Sequence, residues 1–252
     1  MILLIAYGNS AYAKFASNLA YSIKRFSNVH ITLASDGCHE GYDMGKVDTI
    51  IPFNPDEFNN DPCLIKISLL KITPYANTIF LDVDMICLKN PSTLFNNIST
   101  KPFWIDCIRQ TNENWWMNAE SMAKYGCQKQ FNDVNSSIMA FDKSEKTTLY
   151  FDRLHSLYLS LNKKDLKNSW GKRRLIPDEV LHSCTLNAPI ESINPVHYCD
   201  NEGLDMSTEF LSMYGFGIAK PIAKKVYNDV MKFCNENYYN IESIYKHKFV
   251  GK

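Results

Sequence analysis

The chain has 252 residues, 45% of them hydrophobic, which is enough to bury one core, and its 27 basic and 27 acidic side chains cancel, so no global field directs it to nucleic acid or to an anionic membrane. The eight cysteines, at 38, 63, 87, 107, 127, 184, 199 and 234, form no Cys-x-x-Cys and no metal-finger spacing; they are expected to be reduced, small apolar residues and not a disulfide framework. No stretch approaches the roughly twenty apolar residues that cross a bilayer, and the short run after Met1 lacks the length and cleavage site of a signal peptide, so a cytoplasmic location is expected.

Ile2 to Ala6 is a continuous apolar run, suited to a strand buried on both faces as in a parallel sheet. Tyr7-Gly8-Asn9-Ser10 turns the chain, and Ser10 is placed to cap a helix over Ala11 to Phe26 whose inward stripe is Phe15, Leu19 and Ile23. Val29 to Ala34 is a second strand, ending at Ser35-Asp36. This strand, helix, strand order opens an α/β nucleotide-binding sheet, where ligands bind off the carboxyl ends of the strands. Asp36 there is either a base or ribose contact or an ordinary loop residue. The chain has no Gly-x-Gly-x-x-Gly and no Walker motif, which disfavours dinucleotide and P-loop chemistry. Residues 37 to 58 form a loop around a short strand, Thr49-Ile50-Ile51. A helix follows over Asp61 to Tyr75, turning Leu64, Leu69 and Ile72 to the core while Lys66 and Lys71 project elsewhere.

Thr78-Ile79-Phe80-Leu81-Asp82-Val83-Asp84-Met85-Ile86 is an apolar run that takes in two carboxylates without a turn signal. On one continuous strand Asp82 and Asp84 point to the same side, and two like charges there are costly to desolvate unless a cation or hydrogen-bond donors lie between them. A divalent ion with hard oxygen ligands, Mn²⁺ or Mg²⁺ holding a nucleoside diphosphate, meets that need. The plainer reading ends the strand at Leu81, with Asp82 capping a turn and Asp84 solvated.

Further strands are expected over Phe103 to Ile108 and Val134 to Phe141, the latter placing Asn135 where a neutral amide can hold an acceptor hydroxyl. Between them Asn112, Asn114, Trp115, Trp116 and Asn118 crowd a polar, aromatic loop of the kind that suits carbohydrate or base surfaces. Ser144 to Leu161 is amphipathic, with Leu149, Leu154, Leu157 and Leu161 as its stripe. Lys163, Lys164, Lys167, Lys172, Arg173 and Arg174 form a basic run, either a solvated face or a guide for a polyanionic acceptor. A strand over Pro189 to Val196 leads to His197-Tyr198, a glycine-containing loop spans Ser207 to Gly217, and a last helix covers Ile222 to Tyr239.

In residue type and spacing the sequence resembles the retaining GT-A glycosyltransferases of the glycogenin and bacterial lipopolysaccharide galactosyltransferase type. Lys66, sixteen residues before Asp82, matches the family's basic residue ahead of its Asp-x-Asp strand, with Tyr75 and Phe80 in register between them. Ala11-Tyr12-Ala13-Lys14 looks like the first βα unit, where the tyrosine lies beside the nucleotide base. Val134 to Phe141 is similar to the "Asn-Ser-Gly" strand with Ser137 in place of glycine, Pro177-Asp178-Glu179 to the "Asp-Gln" element, and Gly217-Ile218-Ala219-Lys220-Pro221 to the "Gly-x-x-Lys-Pro" element. One departure concerns the metal: where the family has a third ligand histidine this chain has Tyr214, a phenol and so a poor ligand at neutral pH, which leaves His197 as the alternative donor.

The resemblance implies an α/β, GT-A-like single domain over residues 1–252. A mostly parallel central sheet would be flanked by helices, with a Rossmann-like nucleotide-sugar half over about 1–110 and an acceptor half over about 111–252. It implies a metal-dependent glycosyltransferase that moves a sugar with retention from a nucleoside-diphosphate sugar, UDP-sugar favoured, to an acceptor hydroxyl. Mn²⁺ or Mg²⁺ would be held by Asp82 and Asp84, with His197 preferred on chemistry as the third ligand and Tyr214 favoured by its spacing to Lys220. The donor would be held by Tyr12, Lys66, Asp82, Gly217 and Lys220, with Asp178 and Asn135 at the reacting centre. Two rival readings stand beside it: a nucleotide-sugar hydrolase or inactive binding module, and a phage-type transferase that glycosylates a modified DNA base in a host cytoplasm.

Overall fold

The computed structural model describes residues 1–112, 116–168, 175–186, 195–198 and 208–212. The chain opens as its apolar pattern dictates. β1 (Ile2–Ala6) is buried throughout, and α1 (Ser10–Lys24) turns Phe15, Leu19 and Ile23 inward at 2% exposure or less. Its cap is Asn9, not Ser10: the Asn9 side chain accepts from the Ala11 N–H at 2.8 Å, meeting one donor that the first helical turn leaves open. β2 (Ile31–Ser35) and β3 (Thr49–Pro52) follow, then a 3-10 turn over Pro55–Phe58.

The helix expected over Asp61 to Tyr75 is two short helices, α2 (Pro62–Lys66) and α3 (Leu69–Ile72). At the junction Ser68 N–H bonds to Ile65 O, three residues back, and the Ser68 hydroxyl lies 3.1 Å from His155 Nε2. The tightening turns Cys63, Ile65, Ile67 and Leu69 into the core, where an unbroken helix would have buried Leu64 and Ile72; both of these are only half-buried.

β4 (Asn77–Leu81) ends at Leu81, as the plainer reading had it, and β5 (Met85–Cys87) is a separate strand in place of one continuous strand over Thr78 to Ile86. They belong to different sheets: the larger has the order β3-β2-β1-β4-β7-β6 and the smaller β5-β9-β8, so Asp82-Val83-Asp84 is where the backbone leaves one for the other. The remaining elements are α4 (Ser92–Ser99), β6 (Phe103–Thr111), α5 (Ala119–Lys124), β7 (Phe131–Asp142), α6 (Glu145–Ser160), a 3-10 turn over Lys163–Asp165, α7 (Asp178–Thr185), β8 (Val196–Tyr198) and β9 (Phe210–Ser212). The expected strand over Pro189 to Val196 lies mostly outside the described residues, which pick it up at Pro195, and the helix over Ile222 to Tyr239 lies wholly outside them.

Two compact units make up the chain. In the first, residues 1–53 and 81–97 with the described residues from Pro195 onward, β1 pairs parallel with β2 and β2 with β3. α1 covers β1 and β5, and the Ser22 hydroxyl accepts from the Cys87 N–H at 2.9 Å, which fixes helix to strand. β5 pairs antiparallel with β9, and the ladder continues into Leu88 N–H to Glu209 O at 2.8 Å.

In the second unit, residues 54–80 and 98–194, β6 and β7 pair antiparallel with register shifts after Ile105 and after Cys107. Phe103, Phe141, Tyr150 and Phe151 pack ring against ring, and α7 lies on β7 with α6 and α2 beside it. Thr147, Phe151 and Leu154 are the buried residues of α6, while Leu149, assigned to the core from the sequence, is 54% exposed. One further expectation fails here. Cys127 and Cys184, 57 residues apart, form a disulfide, because the fold brings the end of the α5 segment against α7; no short-range spacing announces such a pair. Cys38, Cys63, Cys87 and Cys107 are free thiols, as expected.

Candidate active site

In the second unit Lys66, the last residue of α2, is where the polar groups meet. α2 starts where it does because Asp61 caps it, one oxygen accepting from Cys63 N–H at 2.9 Å and Leu64 N–H at 3.4 Å while the other accepts from Tyr158 Oη at 2.7 Å. From the far end of that anchored turn Lys66 Nζ donates to Ser136 Oγ at 3.1 Å and lies 3.8 Å from Asp178 Oδ2. Its charge also sits 5.8 Å from the centroid of the Phe80 ring. The side chains of Lys66 and Asp178 are 18% and 11% exposed, so the pair is poorly screened by solvent.

Asp178 and Glu179 form the first turn of α7, where the helix dipole favours negative charge. Asn135, on β7 beside Ser136, uses Oδ1 to accept from Ser137 N–H at 2.9 Å; its Nδ2 is buried with no hydrogen-bond partner among the described residues. A buried donor without an acceptor is costly, and such atoms mark places where a ligand or water completes the structure. The structure therefore brings Lys66 and Asp178 together, and Asn135 lies next to the Lys66 partner Ser136 along β7 in the same unit.

Three neighbours were missed by the sequence reading. Ser136 is the hydroxyl that Lys66 grips. Asp106, 2% exposed, stands opposite Asn135 across the β6–β7 pair, at the first register shift. His182, one turn along α7 from Asp178, is fully buried; Tyr150 Oη lies 2.7 Å from its Nδ1, and its ring is parallel to that of Phe103. Burial lowers the His182 pKa to about 4, with the charge of Asp178 opposing that shift and the charge of Lys66 adding to it. The imidazole is neutral at physiological pH. The signal in the sequence was the spacing of four from Asp178 to His182, which places both on one helix face.

In the first unit Asp82 and Asp84 are both half-buried while Val83 between them is 7% exposed. The two carboxylates thus share the open side of the chain, as the alternation argument requires, but they do so in a bend after β4 and not within a strand. Tyr12, 37% exposed, holds its ring nearly parallel to that of Tyr7, 6.5 Å between centroids, and Tyr7 meets Phe53 edge-on at 5.7 Å. Asp36 ties the loops after β1 and β2 together: Oδ2 accepts from Gly8 N–H at 2.7 Å and Oδ1 from Cys38 N–H at 3.1 Å. Burial alone would raise its pKa, but these hydrogen bonds outweigh it and hold the carboxyl below the usual range. Gly8 has a φ of +72°, which a residue with a side chain adopts only under strain.

Among the described residues no three His, Cys, Asp or Glu side chains gather into a metal cluster. His197 lies on β8, while Tyr214, Gly217 and Lys220 are outside the described residues. What the first unit would offer a divalent cation is the hard oxygen pair of Asp82 and Asp84, a donor type suited to Mg²⁺ or Mn²⁺.

No protein-family model matches the sequence, and no curated protein matches it either. Solved structures do. An active-site Gln-to-Glu variant of LgtC is similar over 90% of this chain and 94% of its own, at 10% identity and a TM-score of 0.57. The galactosyltransferase LgtC in complex with donor and acceptor sugar analogs is similar over 72% of this chain and 68% of its own, at 13% identity and a TM-score of 0.51. The bifunctional glycosyltransferase WbbM is similar over 97% of this chain and 51% of its own, at 13% identity and a TM-score of 0.55. The fold is the α/β fold of these GT-A glycosyltransferases.

Proposed function

We propose that the protein is a glycosyltransferase that moves a sugar from a nucleoside-diphosphate sugar to an acceptor hydroxyl, with retention and with a divalent cation held by Asp82 and Asp84. The observation that carries this reading is the placement of those two carboxylates, on the open side of a bend at the end of β4, in a chain with a GT-A fold.

The demanding event in such a transfer is departure of the nucleoside diphosphate. Negative charge gathers on the β-phosphate as the anomeric carbon becomes cationic. A bound Mn²⁺ or Mg²⁺ supplies Lewis acidity toward the diphosphate oxygens. Lys220, with the glycine backbone at Gly217, is assigned to the same phosphate, and Tyr12 to a face of the base. Lys66 and Ser136 fix the orientation of Asp178, which is assigned to the sugar and acceptor hydroxyl; its carboxylate accepts a hydrogen bond from that hydroxyl or stabilises the cationic sugar. The unpaired Asn135 Nδ2 donates to a sugar hydroxyl oxygen, which would meet its missing acceptor. His197 is assigned as the third protein ligand of the cation. A UDP-sugar is the favoured donor.

The test is a panel of uridine, guanosine and cytidine diphosphate sugars with Mn²⁺, read first by thermal shift and then by product mass with sugar, peptide, lipid-linked and nucleic-acid acceptors. A stabilising donor whose sugar reaches an acceptor supports the assignment. Donor binding with release of free sugar alone turns it into the hydrolase reading, and binding without turnover into the binding module.

A further inference from the structure

The bond between Cys127 and Cys184 closes a ring that contains Asn135 and Ser136 on β7, all of α6 and the start of α7 with Asp178. α7 is eight residues long, and Pro177 before it gives no side-chain cap. Helices of that length do not hold themselves in water. The position of α7 is therefore set by what grips it: packing on β7 and α6, Lys66 at Asp178, Tyr150 at His182, and the covalent bond at Cys184 in its last turn. The other end of that bond is itself anchored. Cys127 N–H closes α5 onto Met122 O at 3.1 Å, and Lys124 and Tyr125 both bond to Asp165, the former at 2.6 Å.

The remaining described thiols are poor exchange partners. Burial raises the pKa of Cys38 to about 11 and of Cys87 to about 12, and pushes Cys63 and Cys107 up as well, so little thiolate forms at any of them. Cys127 and Cys184, at 9% and 7% exposure, are nearer solvent than Cys63, Cys87 or Cys107.

We propose that Cys127 and Cys184 are a thiol–disulfide exchange site for low-molecular-weight thiols and disulfides, and that its oxidation state sets how firmly α7 holds Asp178 beside Lys66. In the oxidising direction one cysteine thiolate attacks a sulfur of the small disulfide, forming a mixed disulfide and releasing one small thiolate. The second cysteine thiolate then attacks the protein sulfur, closing Cys127–Cys184 and releasing the other small thiolate. Two electrons pass from the cysteine pair to the small disulfide, and the two protons end on the released thiols. The consequence for turnover rests on the transferase reading above; the exchange itself and its effect on α7 do not.

The test equilibrates the native chain in buffers of reduced and oxidised glutathione, alkylates it, and reads residues 127 and 184 by mass spectrometry while deuterium uptake is followed at the amides of residues 179–185. Reduction is expected to expose both sulfurs to alkylation and to speed exchange in α7 at least tenfold, with far-UV circular dichroism unchanged. Cys184→Ser, or Cys127→Ser if the first variant fails to fold, is expected to show the fast uptake in both buffers. A bond that persists in excess reduced glutathione until the whole chain unfolds overturns the exchange site, and α7 uptake that is the same in both states overturns the clamp; the unsubstituted chain decides both. Sugar transfer should fall on reduction. If α7 responds but no sugar is transferred in either state, the exchange site stands and the transferase reading falls.

Discussion

Lys66 Nζ stands 3.8 Å from Asp178 Oδ2 while it donates to Ser136 Oγ, so one ammonium group joins α2, β7 and α7. Replacing it by methionine keeps the stem and leaves a buried carboxylate with less to hold it. Lys66→Met is expected to lower turnover with a nucleotide sugar about 100-fold, on the order of 2.7 kcal/mol of transition-state stabilisation, while Ser136→Ala stays within about tenfold. Steady-state kinetics of the two variants checks the order.

Asp84 and Asp82 flank a buried valine, and both are themselves half-buried. Asp84→Asn is expected to fold normally and to lose sugar transfer and Mn²⁺ binding together, the second read by calorimetry. In the unsubstituted protein a chelator should abolish transfer, and excess Mn²⁺ should restore it. Full activity in chelator would remove the metal from the mechanism.

Asp61 serves two structures at once, the start of α2 and the hydroxyl of Tyr158. Asp61→Ala is expected to cost about 2 kcal/mol, the combined loss of a cap and a charge-assisted hydrogen bond, and Tyr158→Phe about 1 kcal/mol. Urea denaturation with unchanged m-values measures both. Because α2 ends in Lys66, Asp61→Ala should also reduce turnover more than Tyr158→Phe does.

His182 carries a pH signature whose sign is fixed by its burial. Its folded pKa, about 4, lies below the unfolded value of about 6.5, so the unfolded chain binds the extra proton between those limits. Stability is fully present above the upper limit and falls as the pH drops toward the lower one, by about 3 kcal/mol for this group. The depressed carboxyls of Asp36, Asp48 and Asp142 add losses of the same sign at more acid pH. Denaturation midpoints measured across that window should fall for the native chain and fall less for His182→Gln, which keeps an acceptor for Tyr150 Oη.

The first βαβ unit was legible because its signals are local: an apolar run for β1, a helical stripe of Phe15, Leu19 and Ile23, and a polar turn between them. The misreadings share one cause, tertiary context acting against local pattern. Nothing in Leu81-Asp82-Val83-Asp84-Met85 marks a change of sheet, since the burial alternates along it as it would along a strand. At Ser68, where the expected helix breaks, the hydroxyl faces His155 from far along the chain, a contact no local pattern announces. α6 turns Thr147, Phe151 and Leu154 inward where a reading by leucines alone pointed to Leu149. At the candidate site Lys66, Asp178 and Asn135 were named through a resemblance, whereas Asp106 depends on a register shift that no spacing announces, and the spacing of four from Asp178 to His182 gives no sign of the buried Tyr150 partner.

β3 ends the larger sheet on one side, and its makeup bears on how the protein behaves in a crowded solution. An unpaired strand edge is a template on which another chain can dock and aggregate. This one is four residues long, closes with Pro52, which has no amide hydrogen to give, and exposes a single large apolar side chain, Ile50 at 41%. An intruding strand would find few backbone partners there, so this border of the sheet resists edge-to-edge docking by its own makeup.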